Sequence, residues 1–102
     1  MVVNLMGAVK KEEVETFVRI VFDALELNDW KMEWTETTPG ICLRKAKKIL
    51  LPTRIIGRYP WEAREYALHE IAHIFALNDK LHGKLFYDEY IKLLQRFITE
   101  EI

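Results

Sequence analysis

His69, Glu70 and His73 stand in an H-E-x-x-H spacing, and the third and last histidine of the chain, His82, follows close behind. On an α-helix, residues four apart share a face, with β-carbons about 5–6 Å apart. That lets two imidazoles converge on one metal ion at about 2.0–2.1 Å each. A glutamate next to the first histidine stands near the ion without ligating it, so it can take a proton from metal-activated water. The chemistry indicated is zinc-dependent peptide hydrolysis. His69 and His73 are the ligands, and Glu70 is the general base and later the acid toward the leaving amine. The bland alternative for the same residues is a helix whose histidines are a capping group and a satisfied core residue.

A catalytic zinc takes three protein ligands and keeps its fourth position open. His82 is the favoured third ligand because imidazole suits zinc. Asp88 and Glu89, a little further on, are the competitors. The count expected is one zinc per chain. Tyr59, Tyr87 and Tyr90 are candidate donors to a developing oxyanion, although an aromatic residue at helical spacing is more often core.

Other reaction classes are poorly served. The chain contains no serine, so a serine nucleophile is excluded. Its one cysteine, Cys42, cannot form an intrachain disulfide and fits a reducing, cytoplasmic setting. Cys42 lies in an alternating Ile-Cys-Leu stretch, where a lone thiol usually behaves as a small buried hydrophobe.

With 102 residues, half of them apolar and 30% charged, the chain is one soluble domain. A net charge of −1 gives no global field toward nucleic acid or a membrane surface, and neither partner is expected. The basic cluster Arg44, Lys45, Lys47 and Lys48 reads as a solvated turn, with phosphate contact as the alternative. No apolar run is long enough to span a bilayer, and the first residues lack the pattern of a secretory signal.

The elements that position the motif follow from periodicity. Residues 10–27 place Val14, Phe17, Val18, Val21, Phe22 and Leu25 on one helical face, with Glu12 and Glu13 in the first turn. Residues 30–37 alternate as a half-buried strand, Pro39-Gly40 signals a turn, and residues 41–44 resume, which predicts a β-hairpin. Residues 49–51 form a third strand, and Pro52 suggests that it lies at an edge. Pro60 opens the motif helix, which runs to residue 77 with Ala67, Ile71, Ile74 and Phe75 inward and Asn78 as its cap. Residues 79–83 turn the chain. A last helix over residues 84–99 repeats Leu85, Phe86, Tyr90, Leu93, Leu94 and Phe97. The fold class expected is α+β: an N-terminal helix, a small, mostly antiparallel three-stranded sheet, the motif helix and a C-terminal helix.

Here the H-E-x-x-H helix, the His82-Gly83-x-x-Phe86 segment and the helix–hairpin–strand prelude resemble the SprT-like zincins, and at this length the minigluzincins. These are similar in turn to the catalytic domains of HtpX-type and CAAX-processing membrane proteases. The resemblance implies a metallopeptidase with zinc on His69, His73 and His82 and Glu70 as the base. It implies that the strand at residues 48–53 forms the upper rim of the cleft, where an extended peptide or protein substrate adds as another strand. It also suggests a zymogen whose C-terminal segment, residues 99–102, blocks the cleft, and either a monomer or a dimer that exchanges its last helix. The alternative functions are a non-proteolytic zinc-binding module or a DNA-associated regulatory protein on the same fold.

Overall fold

In a computed structural model the chain is described over residues 8–36, 39–76 and 82–98. The first helix, α1 (Lys11–Ala24), opens with the Lys10 amide donating to the Glu13 carboxylate at 2.7 Å. It buries Val14, Val18, Val21 and Phe22, the stripe its periodicity predicts, while Phe17 and Leu25 pack at the margin. It ends three residues earlier than expected, in a Schellman motif. Glu26 takes a left-handed conformation at φ 59°, and the Leu27 amide reaches back to the Phe22 carbonyl at 2.8 Å. Glutamate in a position that favours glycine or asparagine gave no stop signal.

Three strands follow: β1 (Lys31–Thr35), β2 (Ile41–Leu43) and β3 (Lys48–Pro52). Their order is β1-β3-β2, and the sheet corrects three expectations. The sheet is mixed, not mostly antiparallel: β1 runs parallel to β3, with Trp34 opposite Leu51, and β2 runs antiparallel to β3, with Cys42 opposite Ile49. The hairpin is therefore β2–β3, and β1 and β2 do not pair. Nor is β3 an edge strand at the rim of a cleft; it is the central strand, with Ile49, Leu51 and Pro52 fully buried. Pro52 is tolerated because it is the last residue of its strand, where the ladder stops. An unbroken apolar run is what a strand covered on both sides needs.

A short 3-10 turn (Thr53–Ile55) leads to α2 (Pro60–Phe75), which carries the H-E-x-x-H motif. Pro60 fills the first helical position, where its missing N–H costs nothing. The Tyr59 amide just before it donates to the Glu62 carboxylate at 3.3 Å. This helix lies at the centre of the molecule, against α1, β2, β3 and the last helix, α3 (Lys84–Phe97). Its inward residues are therefore mostly small or branched: Ala63, Ala67, Leu68, Ile71, Ala72 and Ile74. Phe75, expected inward, is exposed; Ala76 takes the buried position at that end. On α3, Phe86 and Leu93 are buried and Tyr90, Leu94 and Phe97 flank them. Leu85 stands about 100° off that stripe, and it too is exposed.

No helix among the described residues is long and apolar enough to cross a membrane. The cap at Asn78, most of the turn at residues 79–83 and the tail at residues 99–102, with the latency expected of it, lie outside the described residues.

Candidate metal centre

Consecutive turns of α2 bring His69 and His73 to one face, with ring centres 5.4 Å apart. His82 arrives from the start of the segment leading into α3. Its Nε2 is 3.1 Å from Nε2 of His73, and its ring centre is 4.8 Å from that of His69. One ligand atom from each of the three lies within 4.8 Å of the others, close enough to hold a metal ion. Two nitrogens on one tetrahedral ion at about 2.0–2.1 Å sit about 3.3 Å apart. The facing His73 and His82 nitrogens already approximate that spacing.

Two features hold the three rings in place. Phe86, fully buried on the first turn of α3, packs its ring against His69, His73 and His82 at centroid distances of 4.9, 4.5 and 4.6 Å. His82 itself has φ 60°. That left-handed conformation costs a residue with a β-carbon roughly 1–2 kcal/mol, and such strain concentrates at functional sites. The competing ligands are engaged elsewhere: Asp88 pairs with Lys84 at 2.8 Å and Glu89 with Lys92 at 3.5 Å.

Electrostatics prepare the same groups. Burial, and then the neighbouring His82 and His73, push the His69 imidazole down to about 4. It is therefore neutral at physiological pH, the form that binds metal. Glu70 is 5% exposed, and desolvation pushes its carboxyl up to about 7. A carboxyl that exchanges its proton near neutrality is suited to general base and acid work. Its Oε2 stands 4.0 Å from His69 Nε2.

These groups line an open cleft of about 870 Å³ between α2 and the β2 side of the sheet. The opposite wall holds residues that spacing alone does not reveal. Gly40, just before β2, lies so close to α2 that a β-carbon there would be 2.7 Å from Tyr66 Cε1 and 2.8 Å from Glu70 Oε2. Its amide donates to the Tyr66 phenol oxygen at 2.8 Å, and Arg54 Nη2 donates to the same oxygen at 3.3 Å. Pro39-Gly40 reads in sequence as a turn signal only; here the glycine is needed for close approach. Arg44, just after β2, donates to the carbonyls of His73 and Ala76 at the C-terminus of α2, from Nε at 3.1 Å and Nη2 at 2.8 Å respectively.

The basic cluster thus dissolves into separate tasks. Arg44 caps the motif helix, Lys47 pairs with Asp29 and Lys48 with Glu33. Cys42 faces the cleft, but burial pushes its thiol up to about 11, so it stays protonated and weakly nucleophilic. Of the three tyrosines singled out, only Tyr90 lines the cleft; Tyr59 stacks on Trp61, and Tyr87 lies on the exposed side of α3. Tyr66, the cleft tyrosine nearest Gly40 and Glu70, was not among them. No known family model matches the chain, and no curated protein matches it.

Proposed function

We propose that this chain is a zinc-dependent endopeptidase on a zincin-like scaffold. One observation carries the reading: three imidazoles converge beside a buried glutamate that holds its proton near neutrality, in an open cleft. All-nitrogen donors at this spacing suit zinc. Zinc held by His69, His73 and His82 would supply a Lewis acid that polarises a carbonyl and acidifies water.

The chain's own residues do the rest. Glu70 takes a proton from water as the water oxygen bonds to the scissile carbonyl carbon. It returns that proton to the amine nitrogen as the carbon–nitrogen bond breaks. The low exposure of Glu70 keeps bulk water from levelling its basicity. The substrate is an extended peptide. β2 pairs with β3 on one side and borders the cleft with its other edge, so the substrate adds as a strand along Ile41–Leu43, not along β3.

A metal that only stapled the fold would call for a fourth protein ligand, and among the described residues the cluster has three. The test is elemental analysis with peptide hydrolysis, on wild type, His82→Ala and Glu70→Gln. One zinc per chain, lost in His82→Ala and kept in an inactive Glu70→Gln, supports the reading. Zinc present with no hydrolysis of any peptide would replace it with a non-proteolytic zinc-binding module.

A further inference from the structure

Tyr66 occupies a position in the cleft that the roles assigned to His69, Glu70, His73 and His82 leave unexplained. It lies one helical turn before Glu70, so it shares the catalytic face of α2. Its ring centre is 6.4 Å from that of His69. The ring edge and the Glu70 carboxylate close on the same point above Gly40, at 2.7 and 2.8 Å from a β-carbon placed there.

Its hydrogen bonds decide what it can do. A phenol oxygen has two acceptor sites and one proton. Here the Gly40 amide and the Arg54 guanidinium both donate to it, at 2.8 and 3.3 Å. The Arg54 guanidinium also lies 5.6 Å from the ring centre. With its acceptor sites engaged, the oxygen is committed to donating its own proton, and among the described residues no acceptor takes it. Two donors on one oxygen, one of them cationic, polarise the O–H and strengthen it as a donor. The cleft is what remains for it to face.

We infer that Tyr66 donates its phenolic hydrogen bond to the scissile carbonyl oxygen as that oxygen gains negative charge, with Arg54 and the Gly40 amide as the positioning groups that aim it. The inference rests on the peptidase reading. In the step it serves, the water oxygen bonds to the carbonyl carbon and the π pair moves onto the carbonyl oxygen. Glu70 holds the water's proton, and Tyr66 keeps its own while hydrogen-bonding the new charge.

The experiment compares wild type, Tyr66→Phe and Arg54→Met, each assayed for zinc content and thermal midpoint. Hydrolysis is measured on a quenched fluorescent peptide that wild type selects from a mixed-sequence library. Affinity for the phosphinic counterpart of that peptide, whose tetrahedral anion mimics the charged oxygen, is measured by calorimetry. Tyr66→Phe should keep its zinc, lower its midpoint by about 4–8 °C because the Gly40 amide loses its acceptor, leave KM within about twofold and lower kcat by about 10²–10³-fold. Its phosphinic affinity should weaken by a similar factor. Arg54→Met, which keeps the hydroxyl and loses its aim, should lose about tenfold in kcat. An unchanged kcat in Tyr66→Phe, or a loss confined to KM, would overturn the assignment and leave Tyr66 as an anchor for Gly40. Should Tyr66→Phe fail to fold, Arg54→Met decides: a kcat loss supports the role and an unchanged kcat removes it. Wild type that binds zinc but cleaves nothing sinks the peptidase reading and this role with it, an outcome distinct from active wild type beside an equally active Tyr66→Phe.

Discussion

Arg44 holds His73 from behind: its guanidinium, anchored just after β2, donates to the backbone carbonyl of the same residue whose ring faces His82. The last turn of α2 thus owes its capping to the sheet. Arg44→Ala would leave the His73 and Ala76 carbonyls without that donor. The expected cost is about 1–3 kcal/mol, together with weaker zinc binding because the His73 turn frays. Urea unfolding and competition with a zinc chelator would measure both; unchanged chelator resistance would refute the coupling.

Gly40→Ala tests how tightly the cleft closes. A β-carbon at 2.8 Å from Glu70 Oε2 and 2.7 Å from Tyr66 Cε1 forces both side chains to move. Overpacking of this kind costs about 1–3 kcal/mol. The expected result is at least tenfold lower kcat with zinc retained, because the base is displaced and the three ligands are not. Normal turnover would mean the wall yields freely.

Phe86→Ala should be the most damaging change on α3. Loss of a buried phenylalanine costs about 3–5 kcal/mol, and here the same ring supports all three histidines. Phe86→Leu should recover most of the thermal midpoint while zinc affinity stays reduced, since the flat support is gone. Equal recovery of both would reduce Phe86 to ordinary core.

In metal-free protein, Glu70 and His69 pull stability in opposite directions with pH. Folding raises the Glu70 carboxyl from 4.5 to about 7, so its contribution is complete below 4.5 and is lost as pH rises through 7. Folding lowers His69 from 6.5 to about 4, so its contribution is complete above 6.5 and is lost as pH falls through 4. Between about 4.5 and 6.5 the two slopes offset, and chelator-treated wild type should show a nearly flat profile. Glu70→Gln removes one slope. Its stability should rise by about 2 kcal/mol from pH 4 to 6.5, allowing for the partial exposure of His69. Urea midpoints across that range would show it; a flat variant would contradict the assignment.

The grouping of His69, Glu70 and His73 was legible because helical spacing is short-range information: one helix places all three, whatever surrounds it. Helix faces were legible for the same reason, as Val14, Val18, Val21 and Phe22 show. Strand order was not. The β2–β3 turn carries no glycine or asparagine. It closes through Lys47 at φ 55°, its amide bonded to the Arg44 carbonyl at 3.1 Å, whereas Pro39-Gly40 carries the stronger turn signal in sequence. Pro52 on its own reads as an edge marker, although Ile49-Leu50-Leu51 is the unbroken apolar run of a central strand. Tyr66, Arg54 and Gly40 were hidden because their meeting depends on tertiary contact between segments distant in sequence.

The brevity of β2 carries a consequence for life in a crowded solution. An unpaired strand edge attracts any extended chain, including another copy of itself, and long flat edges seed aggregates. This one, unpaired among the described residues, is three residues long, Ile41–Leu43. It is framed by Pro39 before it and by an arginine turned back onto a helix after it. Such a stub suits a guest that other parts of the cleft also grip, yet is too short a template for ribbons of identical molecules to grow from. The same truncation that would shape a docking ledge for the proposed peptide also guards the molecule against polymerising through it.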